Sequence, residues 1–501
     1  MLFALRRATA VLALLILLGP SLGYAQELAK DREAILRELE SFAGTMECCS
    51  RRNADSASRI PDQQASVSRS ALFSSEEGSW PFESFTHRGL FEMIAQYQPK
   101  HPQAIALNNG TISLAELYRR IDDEQVIKQH KDGYLLYYPL MIGPKARLTL
   151  DNDHLYMATY SGTALINQGE LLVKNSTVGI WQGDNPAAVK GFRPFIVAWA
   201  GSRTHLDGAV IRDLGFNAHL TRGITLVRNV NQPKSLPEAT VTVENTLFDD
   251  NTTGLDLVNA RASVSNSRFL NNRLYGIDLA DGLLEMRGST IRDTSVNSGL
   301  RIQKGSRVTV RGSVIRNSAG SGVEATDFSG KLMINDSVIA TNNAEGILIQ
   351  GAVSRRPDVV LGYNFIAVNG RSGIFAENVE RLYLRGNSIQ AHARYNVSNR
   401  SLSQRRGQLI MVDNQLARAD GASLRTANLD RIGLFGNDFS FEHYSQSQLG
   451  GELSRIQSRI FDVLIRHGCD VELLRSDSSE NWRVIPRQPS VASDCPAEQQ
   501  I

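Results

Sequence analysis

Six glycines punctuate the middle of this chain at nearly constant intervals, and each opens the same short phrase. The segments are Thr253-Gly254-Leu255-Asp256-Leu257, Tyr275-Gly276-Ile277-Asp278-Leu279, Ser298-Gly299-Leu300-Arg301-Ile302, Ser321-Gly322-Val323-Glu324-Ala325, Glu345-Gly346-Ile347-Leu348-Ile349 and Ser372-Gly373-Ile374-Phe375-Ala376. The spacing, roughly two dozen positions from each glycine to the next, fits one turn of a stacked solenoid, in which no repeat can bury its apolar face alone. It makes side chains one period apart into spatial neighbours.

A second phrase runs in register with the first: Asn245-Thr246-Leu247-Phe248, Asn266-Ser267-Arg268-Phe269, Gly288-Ser289-Thr290-Ile291, Gly312-Ser313-Val314-Ile315, Asp336-Ser337-Val338-Ile339, Tyr363-Asn364-Phe365-Ile366 and Asn387-Ser388-Ile389. Each coil is therefore expected to carry two short strands of alternating character, with Gly, Asn and Ser at the corners. The architecture predicted is all-β, a right-handed parallel β-helix. Leucine-rich repeats share the period, but their Leu-x-x-Leu-x-Leu-x-x-Asn spacing is absent and no coil contains a helical stretch.

Alternation extends from about Arg147-Leu148-Thr149-Leu150 to Ile432-Gly433-Leu434-Phe435, which gives ten or more coils. At the inter-strand spacing of about 4.8 Å, ten coils make a rod of about 50 Å, a face suited to a linear polymer. Residues 1–25 carry Arg6 and Arg7, an apolar run and Gly23-Tyr24-Ala25, the pattern of a secretory signal peptide. Residues 26–100 are expected to form a helix, over 27–42, and then a mobile Ser/Arg-rich linker over 50–75. The β-helix is expected over 101–440, with a short helix at 113–121 capping its first coil. Residues 441–501 are expected to form a C-terminal cap built on an amphipathic helix through Leu449, Leu453, Ile456, Ile460 and Leu464. No later segment is a continuous apolar run of membrane-spanning length, so no membrane span is expected once the signal is cleaved.

Without residues 1–25 the chain has 52 basic and 52 acidic residues. Global attraction to a polyanion is therefore not available, which argues against nucleic acid and requires any charged partner to be held locally. One basic run stands out: between Glu285 and Arg316 seven cations face two acids. Cys48, Cys49, Cys469 and Cys495 lie outside the repeats and allow three disulfide pairings, of which Cys469 with Cys495 would close a tail loop.

In each repeat the residue after glycine is aliphatic and points inward, so the following one points outward. Stacking then yields an outward column Asp256, Asp278, Arg301, Glu324 and Leu348, with Val258, Ala280, Gln303, Thr326 and Gln350 beside it. Asp256 and Asp278 would be adjacent carboxylates, and two such groups repel unless one is protonated or a cation intervenes. A cleft floor of Asp278, Arg301 and Lys304, with Tyr275 at the corner and Arg273 just before it, is suited to an acidic sugar.

Phe192-Arg193-Pro194-Phe195-Ile196-Val197-Ala198-Trp199-Ala200-Gly201-Ser202, then Asp213-Leu214-Gly215-Phe216-Asn217, then Tyr275-Gly276-Ile277-Asp278 resemble, in that order, the periplasmic mannuronan C-5-epimerases of alginate-producing bacteria. The likeness runs over roughly residues 100 to 390. It implies a periplasmic protein acting on a polymannuronate-like acidic polysaccharide, working beside exopolysaccharide secretion machinery. In that family the Tyr-Gly-Ile stretch leads into Asp-Pro-His-Asp, whose His is the base that takes the sugar C5 proton. Here the stretch is Asp278-Leu279-Ala280-Asp281. The family's carboxylate-neutralising Arg falls, by counting from the glycine, on Lys304. The resemblance marks Tyr275, Asp278, Asp281 and Lys304 as catalytic candidates, and the stacked wall around them offers Asp256, Arg273, Arg301, Gln303 and Glu324 as candidates for holding substrate.

Ala280 cannot accept a proton, and loss of a general base lowers rate by about 10² to 10⁴. His205 and His219 have no spacing that would make either a substitute. The calcium-binding nonapeptide repeats of secreted epimerases are also absent, so neither metal nor cofactor is expected. The expected function is binding or escort of an acidic polysaccharide on an epimerase scaffold, with an active epimerase or lyase using a relocated base as the alternative.

Overall fold

The computed structural model describes residues 60–500 apart from 62, 73–89, 99, 184–191, 217–219, 229–231, 440–447, 477–480, 489–494 and 496–498. The signal-like segment, the helix expected at 27–42, Cys48, Cys49 and His219 lie outside the described residues.

The chain winds into a right-handed β-solenoid of about twelve turns. Each turn contributes to three sheets, not two. The first sheet holds the glycine phrases, for example Thr253–Val258, Tyr275–Ala280 and Leu300–Lys304. The second holds Ala260–Ser265, Leu283–Arg287 and Arg307–Arg311, and the third holds Arg268–Leu270, Thr290–Arg292 and Val314–Arg316. The second strand escaped the periodicity because the corner before it varies from turn to turn: a single Asn259 at φ 50° in one, Asp281-Gly282 in the next and Gly305-Ser306 in the one after.

Inward residues fill one continuous core. Leu255, Ile277, Leu300, Val323, Ile347 and Ile374 from the first sheet are fully buried, as are Phe248, Phe269, Ile291, Ile315 and Ile339 from the third. The third-sheet column also explains the recurring glycine. A Cβ on Gly254 would stand 2.6 Å from Phe269 Cδ1, and one on Gly276 would stand 2.5 Å from Ile291 Cγ2. The backbone there lies directly on the third sheet's apolar side chains and leaves no space for a side chain.

The polar residue of the second phrase is buried too, and satisfied along the stack. The Thr246 amide donates to Ser267 Oγ (3.1 Å), Ser267 to Ser289 (3.1 Å), Ser289 to Ser313 (3.2 Å) and Ser313 to Ser337 (3.2 Å). Asn364, Asn387 and Asn414 continue the ladder with Oδ1 acceptors at 3.0 Å. A buried corner amide needs a partner, and each turn supplies one to its neighbour.

Both ends are covered. Ser66–Ala71, from the stretch expected to be a mobile linker, pairs antiparallel with Gln103–Asn108 at the edge of the first sheet. Its neighbours Ala65 and Leu72 are buried, so the Ser/Arg-rich composition concealed an edge strand. The helix Leu114–Ile121 is held by a capping box between Ser113 and Glu116, with Leu114 and Leu117 against the core. At the other end the segment from Leu449 is a short strand, Leu449–Gly451, followed by helical turns over 454–466. Leu449, Leu453 and Ile460 are fully buried, and Leu464 packs at the margin. A hairpin of Asp470–Arg475 and Trp482–Arg487 then pairs antiparallel with the last long strand of the second sheet. Cys469 and Cys495 form a disulfide with Cα atoms 5.9 Å apart, tying the tail to this cap. Among the described residues no helix is long and apolar enough to cross a membrane.

Candidate functional site

The register of the first sheet sets Asp256 beside Asp278, Asp278 beside Arg301, Arg301 beside Glu324 and Glu324 beside Leu348. These side chains share one wall. The parallel column runs through Val258, Ala280, Gln303 and Thr326 and stops there. A register shift between Ala325 and Phe328 inserts extra backbone, so Gln350 does not continue it.

Arg301 organises the centre. Its Nε donates to Asp278 Oδ1 at 2.8 Å and its Nη2 donates to Asp278 Oδ2, the bidentate geometry that suits a guanidinium to a carboxylate. The same guanidinium lies over the Tyr275 ring, with Cζ 4.2 Å from the centroid. A second arginine, Arg222, reaches Asp278 Oδ2 at 3.4 Å. Asp278 is thus buried between two cations.

Among the described residues Asp256 has no such clamp. It is buried, and the group against its carboxyl is the Thr225 hydroxyl, which donates to Oδ2 at 3.5 Å. Burial, reinforced by the Asp278 charge next to it, pushes its pKa up to about 6, against the smaller opposite pull of Arg222 and Arg301. Burial likewise raises the Tyr275 hydroxyl above the usual phenol range. Glu324, on the far side of Arg301, accepts a hydrogen bond from Ser298 Oγ at 2.5 Å.

Lys304 and Asp281 stand apart from this cluster. Both occupy corners at the end of the first sheet, at φ 56° and 51°. The Lys304 ammonium lies 3.7 Å from Asp281 Oδ2, and Asp281 Oδ1 accepts the Gly305 amide at 3.0 Å. The expected floor of Asp278, Arg301 and Lys304 is therefore two groups: a clamped mid-strand cluster, and a corner ion pair with Lys304 largely in solvent. Gln303 is half-buried beside Ala280, and Arg273 is exposed in the turn before Tyr275.

The basic run between 285 and 316 is likewise divided. Arg301 and Lys304 belong to the first sheet, Arg287, Arg307 and Arg311 to the second, and Arg292 and Arg316 to the third. It circles the rod and forms no single patch.

Arg222 and Thr225 were missed by the periodicity. Gly223-Ile224-Thr225-Leu226 is another copy of the glycine phrase, but a long excursion before Ala239 sets it well over one period ahead of Gly254. His205 lies on the second sheet, where its ring and the carboxylates of Asp207 and Glu244 have donor atoms within 4.8 Å of one another. That group has the chemistry to hold a cation, but on a different face from Asp278. A depression of about 700 Å³ on the third sheet, lined by Tyr156 and Trp181, is also separate from it.

Residues 257–416 match the family model described as a right handed beta helix region. The mannuronan C5-epimerase of Pseudomonas putida is 24% identical over 72% of this chain and 66% of its own length. The mannuronan C5-epimerase of Pseudomonas aeruginosa is 25% identical over 49% of this chain and 47% of its own. The chain thus spans just under two thirds of the first relative and under half of the second. Among solved structures, the periplasmic alginate epimerase AlgG superposes with a TM-score of 0.66 at 18% identity, covering 78% of this chain and 97% of that one.

Fold and wall together define a right-handed parallel β-helix protein with a charged column along its first sheet. Within that class the chain is similar in sequence to mannuronan C5-epimerases and in fold to the periplasmic alginate epimerase AlgG.

Proposed function

We propose that this chain binds an acidic, alginate-like polysaccharide along its first sheet, and holds or escorts the polymer during its modification or export without turning it over. The observation that carries this reading is Ala280. It stands in the outward column beside the Asp278 and Arg301 rungs, at the position where the resemblance calls for a proton-accepting histidine. Removing a proton next to a sugar carboxylate needs a base within reach and a cation on the carboxylate. Arg301 is already engaged by Asp278, and the exposed cation Lys304 is paired with Asp281. The surroundings retain means of recognising an acidic sugar but lack the seat of the base. The signal-like segment at 1–25 and the periplasmic relative support a periplasmic location, where secretion machinery would be the partner.

A second reading, an epimerase with a relocated base, has one observation in its favour. Asp256 holds a carboxyl whose pKa of about 6 suits proton transfer near neutral pH. Polymannuronate incubated with the purified protein in deuterated water separates the two. Binding with no C5 exchange above background supports the escort, and exchange that disappears in Asp256→Asn supports the relocated base.

A further inference from the structure

The pairing of Tyr275, Asp278 and Arg301 is one instance of a unit that recurs along the same wall. In it an aromatic ring lies under an arginine from the next turn, and that arginine takes a carboxylate from the rung before it. The second instance is Phe375, Glu377 and Arg400. Arg400 Cζ is 5.1 Å from the Phe375 centroid, its Nε donates to Glu377 at 2.7 Å, and Arg400 stands beside Glu377 in register as Arg301 stands beside Asp278.

The third instance is incomplete. Arg425 lies over Tyr395, with Cζ 5.3 Å from the centroid, yet the residue beside it in register is Ser398. The ring fixes the plane of the guanidinium, but this unit carries no carboxylate of its own, and no ion pair of Arg425 is present among the described residues. Arg425 and Tyr395 line a depression of about 580 Å³, together with Arg371, Arg394, Arg400 and Phe375. The acids that line it are Glu345, which lies 3.6 Å from Arg371, and Asp420. With Arg400 already matched by Glu377, the remaining three guanidiniums against two carboxylates leave the depression cationic. Its place in the groove is set by register, since Leu348, Phe375, Ser398 and Arg425 continue the column of Asp278, Arg301 and Glu324.

We propose that the depression around Arg425 and Tyr395 is a second saccharide subsite, in which the carboxylate of a uronate residue takes the place on Arg425 that Asp278 and Glu377 take on Arg301 and Arg400. It lies six strand spacings, about 29 Å, from the Asp278 rung. A single chain running along the wall meets both. The inference rests on the acidic-polysaccharide reading above and adds to it a length requirement.

The test is calorimetric titration of the full chain with two oligomannuronates, one too short to reach from the Asp278 rung to Arg425 and one long enough to do so. The wild type is expected to bind the long oligomer more tightly. Arg425→Gln is expected to weaken long-oligomer binding about tenfold, the range of one charge-assisted contact. Ser398→Asp, which supplies the missing carboxylate from the chain itself, is expected to weaken it as much with Arg425 intact. Ser398 is buried, so the half-exposed Arg425→Gln decides the matter if the other variant fails to fold. Wild-type affinity for the long oligomer in Arg425→Gln would overturn the subsite and leave the proposed function standing. No binding of either oligomer by the wild type would overturn both.

Discussion

Asp256 and Asp278 occupy adjacent rungs of one column, and the fold treats them in opposite ways. Two guanidiniums hold Asp278, while Asp256, one rung nearer the N-terminus, has among the described residues a threonine hydroxyl against its carboxyl. The protein thus compensates one member of the pair with cations and leaves the other with a pKa raised by burial and by its neighbour's charge.

This asymmetry sets a pH dependence. The Asp256 pKa is raised from 3.8 to about 6 by folding, so between those values the folded state holds a proton that the unfolded state has lost. Stability is therefore highest below about pH 4, falls as pH rises to about 6, and is flat above that as far as this group is concerned. The full difference is on the order of 3 kcal/mol at about 1.36 kcal/mol per pKa unit. Asp256→Asn is expected to be more stable than wild type at pH 7.5 by about 1 to 3 kcal/mol, and to lose the advantage at pH 4. Chemical denaturation at the two values checks this, and an advantage that is equal at both would refute it.

Arg301 makes the converse case. Its loss leaves the buried Asp278, among the described residues, with the longer contact to Arg222. Arg301→Gln is expected to cost roughly 3 kcal/mol, because an uncompensated buried charge is more expensive than a missing pair. Adding Asp278→Asn should recover much of that loss, and a double-mutant cycle measures the coupling. A single and a double variant of equal stability would show that the clamp contributes nothing.

The corner ladder gives a graded series. Ser313 accepts one amide and donates to the Arg311 carbonyl, whereas Asn387 accepts the Asn364 amide and donates to both the Leu361 carbonyl and Asn414 Oδ1. Replacing either by alanine strands a buried amide, at about 1 to 3 kcal/mol. Asn387→Ala, which breaks more bonds, should lower the melting temperature further than Ser313→Ala.

Reduction of the Cys469–Cys495 bond should act locally. The bond closes a sequence separation of 26 at one end of a structure whose turns touch only their neighbours. Hydrogen exchange is expected to quicken in Asp470–Arg475 and Trp482–Arg487 while the strands around Asp278 keep their protection.

The column from Asp256 to Leu348 was legible in the sequence because a strict period turns sequence distance into spatial adjacency. The same rule hid what breaks the period. Arg222 and Thr225 sit before a lengthened turn, so their phrase fell outside the count. Lys304 shows a different limit: counting placed it correctly along the chain, but its left-handed corner conformation engages it with Asp281, away from Asp278. Ser66–Ala71 carries little apolar character because an edge strand needs only its backbone to cover the sheet.

The vacant base is open to a direct experiment. Ala280 is half-exposed in the outward column, between Val258 and Gln303, with Asp278 two residues earlier and Asp281 immediately after it. A histidine there would occupy the seat that the resemblance assigns to the base, without burying a polar group. If the remaining wall still binds polymannuronate, Ala280→His should raise C5 deuterium exchange above the wild-type level, up to roughly the 10² to 10⁴ range that a general base contributes. The gain should follow the titration of an imidazole, rising through about pH 6.5 as the ring becomes neutral. Exchange that stays at the wild-type level in a variant that still binds would mean that the wall has lost more than its base, the cation on the sugar carboxylate being the next requirement in the chemistry. Restoring that cation with Lys304→Arg in the Ala280→His background should then bring exchange up.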